Sequence, residues 1–122
     1  LDEKVVSLVE EQQLYLDPRF GLDMLSDRLE VSSVEIVDML HVMHGCSFAE
    51  YVNGLRIDRA VTLILLKSEN DDAVMLKYKV NKTDFLDEIA AECGYDSKDL
   101  FLKTFNIIMG MSLMDWLNEG IA

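Results

Sequence analysis

The feature that most constrains this chain is an internal repeat, because residues 22–51 and 84–116 carry the same order of apolar, serine and glycine positions. Three positions recur 64 residues apart, and six more recur 65 residues apart. The matched pairs are Leu25 and Ile89, Leu29 and Cys93, Val31 and Tyr95, Ser32 and Ser97, Ile36 and Phe101, Leu40 and Phe105, Gly45 and Gly110, Ser47 and Ser112, and Tyr51 and Trp116. Apolar spacing alone is common in helical proteins, but paired serines and glycines are independent constraints. The repeat therefore indicates one supersecondary unit used twice.

Each copy of the repeat has the start and stop signals of a helix-turn-helix unit. A serine opens its second helix, Ser32 in one copy and Ser97 in the other, and a glycine follows that helix, Gly45 or Gly110. Serine is a preferred N-cap, and glycine is preferred just past a helix C-terminus. A further serine then opens a third helix, with an acidic residue three positions later, as in the segment S-F-A-E at residues 47–50. This order of signals predicts two helix-turn-helix units.

The remaining segments complete the predicted architecture. The first dozen or so residues are predicted to form an amphipathic helix, ended by Asp17-Pro18, from apolar residues at roughly helical spacing, namely Val5, Leu8, Val9 and Leu16. An apolar stripe from Phe48 to Leu66 predicts a linker helix of ~30 Å at 1.5 Å per residue, which we expect to act as a rigid spacer. Within residues 67–82, the segment 68–72 is polar and rich in turn residues, and Lys77, Lys79 and Lys82 follow it, which predicts a loop or a short extra helix.

The predicted fold class is therefore all-α, with two tandem helix-turn-helix units joined by a long linker helix. Residues 1–66 would contain the N-terminal helix, the first unit and the linker helix. Residues 67–82 would form an insertion, and residues 83–122 would form the second unit. The single proline, Pro18, supports a helical fold because little else in the chain interrupts a helix.

The charge balance opposes polyanionic partners. Eleven Lys and Arg against 23 Asp and Glu leave a net charge of −12, and such a field repels nucleic acid and acidic membrane surfaces. No apolar stretch approaches the ~20 residues that cross a bilayer, and no signal peptide is evident, so we expect a cytoplasmic protein without a membrane partner. The first residue is Leu1 rather than methionine, and we expect the chain to be part of a longer polypeptide.

No residue pattern points to catalysis. A Gly-rich phosphate loop, a catalytic dyad and a nucleophile elbow are all missing from the sequence, so we expect neither an enzyme nor a cofactor or small-molecule site. His41 and His44 are three residues apart with Cys46 beyond, which allows a metal site, but exposed or helix-end histidines are commoner than such sites. Cys46 and Cys93 are predicted to be buried, reduced thiols rather than a disulfide.

The most specific motif of the chain is I-A-A-E-C-G-Y-D-S at residues 89–97, followed by Phe101, Phe105 and Gly110. With it, the sequence resembles the DNA-binding domain of the AraC/XylS family of bacterial transcription regulators from Tyr15 onward, residues 67–82 excepted. The first unit and the linker support the resemblance through Leu25, Leu29, Ser32, Gly45, Ser47, Phe48, Tyr51, Arg56, Ile57 and Ala60. The resemblance implies a sequence-specific partner, double-stranded DNA.

In that family the second helix of each unit enters the major groove. The positions carried over are Ser33, Val34, Val37 and Asp38 in the first unit, and Ser97, Lys98, Asp99, Leu102 and Lys103 in the second. The first unit departs from the pattern, because residues 32–44 contain no Lys or Arg and a carboxylate at Asp38 is repelled by phosphate. In the second unit, Lys98 and Lys103 can reach phosphate or guanine while Leu102 packs on a thymine methyl.

Two hypotheses follow from these residues. The leading one is the DNA-binding output domain of an AraC-type regulator, with the second unit supplying the main contacts. The alternative is a degenerate helix-turn-helix domain that does not bind DNA and serves as a protein-interaction or dimerisation module through outward Val34, Val37 and Leu102. A basic face favours the first hypothesis, and an even acidic shell favours the second.

Overall fold

The computed structural model describes residues 1–67 and 82–119, and every regular element in these ranges is helical, which confirms the predicted all-α class. Helix α1 (Asp2–Val6) continues into a π-helical turn (Ser7–Glu11), and a short 3-10 turn follows at Leu14–Leu16. The other helices are α2 (Leu22–Leu29), α3 (Ser33–His44), α4 (Phe48–Lys67), α5 (Lys82–Glu92), α6 (Lys98–Met109) and α7 (Leu113–Asn118). The prediction of a loop or short helix in the insertion concerns residues that lie almost entirely outside the described ranges.

Serine side chains cap the helices where the sequence predicted them. The hydroxyl oxygens accept hydrogen bonds from backbone N–H groups three residues on, at 3.2 Å for Ser32, 3.1 Å for Ser47, 3.3 Å for Ser97 and 3.1 Å for Ser112. At Ser47 the capping box is complete, because its own N–H donates to Glu50 Oε1 at 2.9 Å. Each cap satisfies an amide that the helix itself leaves without a partner.

The N-terminal helical segment covers close to the dozen residues predicted, but it ends at Glu11 and not at Asp17-Pro18. The chain leaves helical geometry at Gln13, which adopts a left-handed conformation with φ +58°. At 100° per residue, a continuous helix would place Tyr15 about 120° around the axis from Val9. The break at Gln13 instead allows Val9 and Tyr15 to be buried in the same core.

The chain forms two compact units, an N-terminal unit (Leu1–Leu55) and a C-terminal unit (Arg56–Ala122). The core of the N-terminal unit consists of Val5, Val9, Tyr15, Phe20, Leu25, Ile36, Leu40 and Val52. The core of the C-terminal unit includes Phe85, Ile89, Cys93, Tyr95, Phe101, Phe105, Leu113 and Leu117. The division between the two compact units lies within α4, because Ile57, Ala60 and Ile64 are buried in the C-terminal core.

Candidate nucleic-acid interface

The turn between the first two helices of each repeat has the same backbone geometry. Glu30 and Gly94 occupy equivalent positions, and both are left-handed, with φ +56° and +93°. After that residue the chain returns to the preceding helix, where the N–H of Val31 donates to Ser26 O and the N–H of Tyr95 donates to Ala90 O. The sequence does not indicate this equivalence, because glutamate, unlike glycine, is not a signal for a left-handed turn.

From this geometry we expect the substitution Glu30→Gly to stabilise the protein. A left-handed conformation costs a residue with a side chain about 1–2 kcal/mol, and glycine avoids that cost but loses more entropy on folding. We expect a net gain of about 1 kcal/mol in the free energy of unfolding, measured by urea denaturation followed by circular dichroism. Gly45→Ala is the matched control of opposite sign, because Gly45 has φ +65° and a Cβ added there would meet no other group within 4 Å. A loss of stability for Glu30→Gly would contradict the assignment of strain to this turn.

The outward face of α3 is apolar and acidic. Its exposed residues follow the spacing i, i+3, i+4, i+7, i+8 and are Val34, Val37, Asp38, His41 and Val42. Ile36 and Leu40 face the other way and are fully buried, which fixes the rotation of the helix. Three of the predicted positions, Val34, Val37 and Asp38, therefore lie together on one exposed surface, while Ser33 is only partly buried beside it.

The outward face of α6 has a different chemistry. Phe101 and Phe105 are fully buried, and this rotation exposes Asp99 and Lys103, with Lys98 half-buried in the first turn. Ser97 is the N-cap, so its hydroxyl oxygen already accepts the N–H of Leu100. Lys103 and Asp99 are thus presented to solvent on a capped helix that follows a tight turn.

Leu102 does not have the orientation predicted for it. The sequence predicts an outward side chain, whereas the Leu102 side chain is partly buried and packs against the C-terminal core. It lines a shallow groove of about 370 Å³ with Leu86, Lys103, Asn106, Ser112, Leu113 and Met114. The reason is helical geometry: Leu102 follows buried Phe101 directly and lies between the core face and the solvent face. The exposed apolar residues of α6 are instead Leu100, Ile107 and Ile108.

Other ionisable groups near the two helices have structural partners. His44 Nε2 lies 2.7 Å from Asp2 Oδ1, and the Tyr51 hydroxyl donates to Glu10 Oε2 at 2.6 Å. Both contacts tie the first eleven residues to the end of α3 and the start of α4. Within residues 1–67 and 82–119, no group of three or more His, Cys, Asp or Glu side chains is arranged to hold a metal ion.

Two titratable side chains are buried in the C-terminal unit. Burial raises the pKa of the Cys93 thiol to about 12, with a smaller contribution from the Glu92 carboxylate. Burial also raises the pKa of Tyr95 to about 12, and the Arg56 guanidinium, which lies 5.2 Å from the centre of its ring, partly opposes the shift. Cys46 and Cys93 are both free thiols, as predicted, although Cys46 is only half-buried.

The described helices form a protein with two tandem helix-turn-helix units. The second helix of each unit, α3 in the first and α6 in the second, has an exposed face. No protein-family model and no curated protein sequence matches the chain. Among the described helices, none is both long and apolar enough to cross a lipid bilayer.

Solved structures that are similar to this chain include two C-terminal domains of response regulators. One is the C-terminal domain of the two-component response regulator yesN from Fusobacterium nucleatum subsp. nucleatum ATCC 25586, with a TM-score of 0.72 and 24% identity over 94% of this chain and 95% of that chain. The other is the C-terminal domain of AraT, a response regulator from Geobacillus stearothermophilus, with a TM-score of 0.66 and 24% identity over 86% of this chain and 74% of that chain. This chain has the fold of those C-terminal domains, which confirms the fold that the sequence resemblance implied.

Proposed function

We propose that this chain is the DNA-binding output domain of a bacterial, cytoplasmic transcription regulator and that it binds duplex DNA in the major groove mainly through α6. The observation that carries this proposal is the contrast between the two second helices. Residues 98 and 103 are lysines at the start and on the outward face of α6, whereas α3 contains no Lys or Arg. The fold shared with response-regulator C-terminal domains supports the same function.

The exposed side chains of α6 offer a mixed set of groove contacts. Lys103 is a donor for phosphate or for guanine O6 and N7, and the exposed amide of Asn106 matches the N6 and N7 edge of adenine. Asp99 can accept a hydrogen bond from a cytosine amino group, and exposed Leu100 can contact a thymine methyl. Leu102, being partly buried, contributes to the position of the helix more than to base contact.

The net charge of −12 makes this binding depend on few cations. Counterion release supplies much of the affinity for DNA, with a salt slope of about −0.9 for each phosphate contact. A helix with two lysines therefore predicts a shallow slope and affinity that is measurable mainly at low salt.

Replacing Lys98 and Lys103 by alanine is expected to lower the affinity for duplex DNA about tenfold at low salt and to reduce the salt slope by about 1.8 if each lysine neutralises one phosphate. The measurement is a salt-titrated mobility-shift assay on random duplex, followed by selection of a specific site. The matched control is Lys4→Ala with Arg19→Ala, which removes the same charge from exposed residues outside both repeats. An equal loss in the control would show that α6 is not the contact surface, and no binding of either duplex at low salt would overturn the proposal.

A second candidate function is a protein-interaction or dimerisation module without DNA binding. The observation that favours it is the exposure of apolar side chains on α3, where Val34 is 67% and Val42 is 77% exposed. Sedimentation of the purified chain over a concentration series tests the self-association form of this alternative, which requires a dimer that Val34→Ser with Val42→Ser dissociates.

A further inference from the structure

The solvent-facing stripe of α3 has the composition of a contact surface. Val34, Val37 and Val42 are three of its five residues, and all three are at least 40% exposed. The core side of the same helix is occupied by Ile36 and Leu40, so these valines are not needed to fold the N-terminal unit. A helix that is apolar on both faces generally buries the second face against another molecule.

A groove lies beside this stripe, at the junction of α3 and α4. It has a volume of about 470 Å³ and is lined by Val37, Asp38, His41, Gly45, Cys46, Ser47 and Glu50. Its floor thus combines a valine with two carboxylates. Glu50 uses Oε1 to accept the Ser47 N–H, and this hydrogen bond lowers the pKa of Glu50, which keeps the side chain charged.

The segment that forms this surface carries carboxylates and no Lys or Arg. No Lys or Arg occurs between Arg28 and Arg56 in the sequence. Glu35 and Asp38 are exposed, and neither takes part in an ion pair within the described part of the chain. The surface therefore presents apolar side chains surrounded by carboxylates that have no cationic partner among the described residues.

We propose that the stripe of α3 and the adjoining groove form a docking site for a basic amphipathic helix of a partner protein. The valines would pack against the apolar face of that helix, at the spacing used in helix-in-groove recognition. The Glu35, Asp38 and Glu50 carboxylates would select Lys and Arg side chains at its edges, and the net charge of −12 would speed its approach. This inference does not depend on DNA binding by α6.

Charge decides against the two other occupants. Duplex DNA would bring phosphates against Glu35 and Asp38, which is repulsive. A second copy of the chain in a two-fold contact would place each α3 stripe against itself and would oppose identical carboxylates. A basic helix satisfies both the apolar and the acidic part of the surface.

The test uses the whole chain and a fluorescent peptide of about 18 residues, five helical turns, made of leucine and lysine with the leucines on one helical face. Fluorescence anisotropy should show binding that Val34→Ser with Val42→Ser weakens about tenfold, while the control Ile107→Ser on α6 leaves it unchanged. Glu35→Gln with Asp38→Asn should weaken binding about fivefold, more than Asp84→Asn with Asp87→Asn, which removes the same charge from the C-terminal unit. A peptide of the same composition in scrambled order, without an apolar face, should bind at least tenfold more weakly.

Several results would overturn the proposal, and thermal melts first establish that each variant is folded. Absence of binding to the amphipathic peptide excludes a basic helical partner. Equal losses in the two pairs of acid variants mean that the peptide responds to net charge alone. A valine variant that changes the sedimentation of the free chain assigns the stripe to a second copy, and one that weakens DNA binding assigns it to DNA. No DNA is present in the peptide assay, so its result is distinguishable from failure of the DNA-binding function.

Discussion

Reversing the two acidic charges of α3, by Glu35→Lys with Asp38→Lys, is expected to raise the affinity for duplex DNA about hundredfold at low salt and to steepen the salt slope by about 1.8. Both side chains are exposed on the second helix of a helix-turn-helix unit, the position that approaches DNA in such units. The change removes two repulsions and supplies two cations, so its effect should exceed that of removing the two lysines of α6. Mobility-shift assays over a range of salt concentrations measure both quantities.

The control for this reversal is Glu3→Lys with Glu11→Lys, which makes the same change of charge at exposed residues of the N-terminal segment. That control should raise the affinity for DNA only through the net charge of the chain, and it should leave the salt slope nearly unchanged. If the two pairs have equal effects, the acids of α3 do not determine how DNA binds. The reversal should also abolish binding of the basic peptide, so one variant separates the two proposed activities.

Raising the pH from 9 to 11 is expected to lower the free energy of unfolding of the C-terminal unit by about 3–4 kcal/mol through Cys93 and Tyr95. Burial raises the pKa of both side chains to about 12, from ordinary values of 9.0 and 10.0. Above pH 9 the unfolded chain loses protons that the native state retains, so the native state binds more protons and stability falls as the pH rises. Below pH 9 this contribution is fully present.

Denaturant unfolding followed by the fluorescence of Trp116 measures this loss of stability. Trp116 is the single tryptophan, and it packs against Phe105 in the C-terminal unit with 5.7 Å between the ring centres. Tyr95→Phe and Cys93→Ala should each flatten the dependence of stability on pH, whatever they do to stability at pH 8. Phe101→Leu is the control, since it disturbs the same core without a titratable group and should leave the slope unchanged. If the free energy of unfolding still falls with pH in the double variant Tyr95→Phe with Cys93→Ala, other groups cause the loss of stability at alkaline pH.

The exposure of the candidate interface residues was predicted in part. Five of the predicted residues are exposed as the sequence indicated, namely Val34, Val37, Asp38, Asp99 and Lys103. Buried apolar residues four positions apart define the core side of each helix, and these five residues fall on the other side. The sequence did not reveal that Leu102 is partly buried or that Leu100, Ile107 and Ile108 are the exposed apolar residues of α6. Leu102 lies between the core face and the solvent face of the helix, where neighbouring helices decide whether a side chain is covered.

The sequence by itself determined where the helices of the repeats begin and end. The reason is local: the hydroxyls of Ser32 and Ser97 cap amides three residues away, and Gly45 and Gly110 adopt the positive φ that ends a helix. Only the tertiary structure decided the break at Gln13, the left-handed turn at Glu30 and the division of α4 between two cores. The break at Gln13 and the division of α4 depend on burial against other parts of the chain, and the turn at Glu30 closes with a hydrogen bond from the Val31 N–H to Ser26 O. Local preferences at glutamine and glutamate give no sign of these features. The repeat thus predicted two helix-turn-helix units, and packing determined which chemistry each unit presents to a partner.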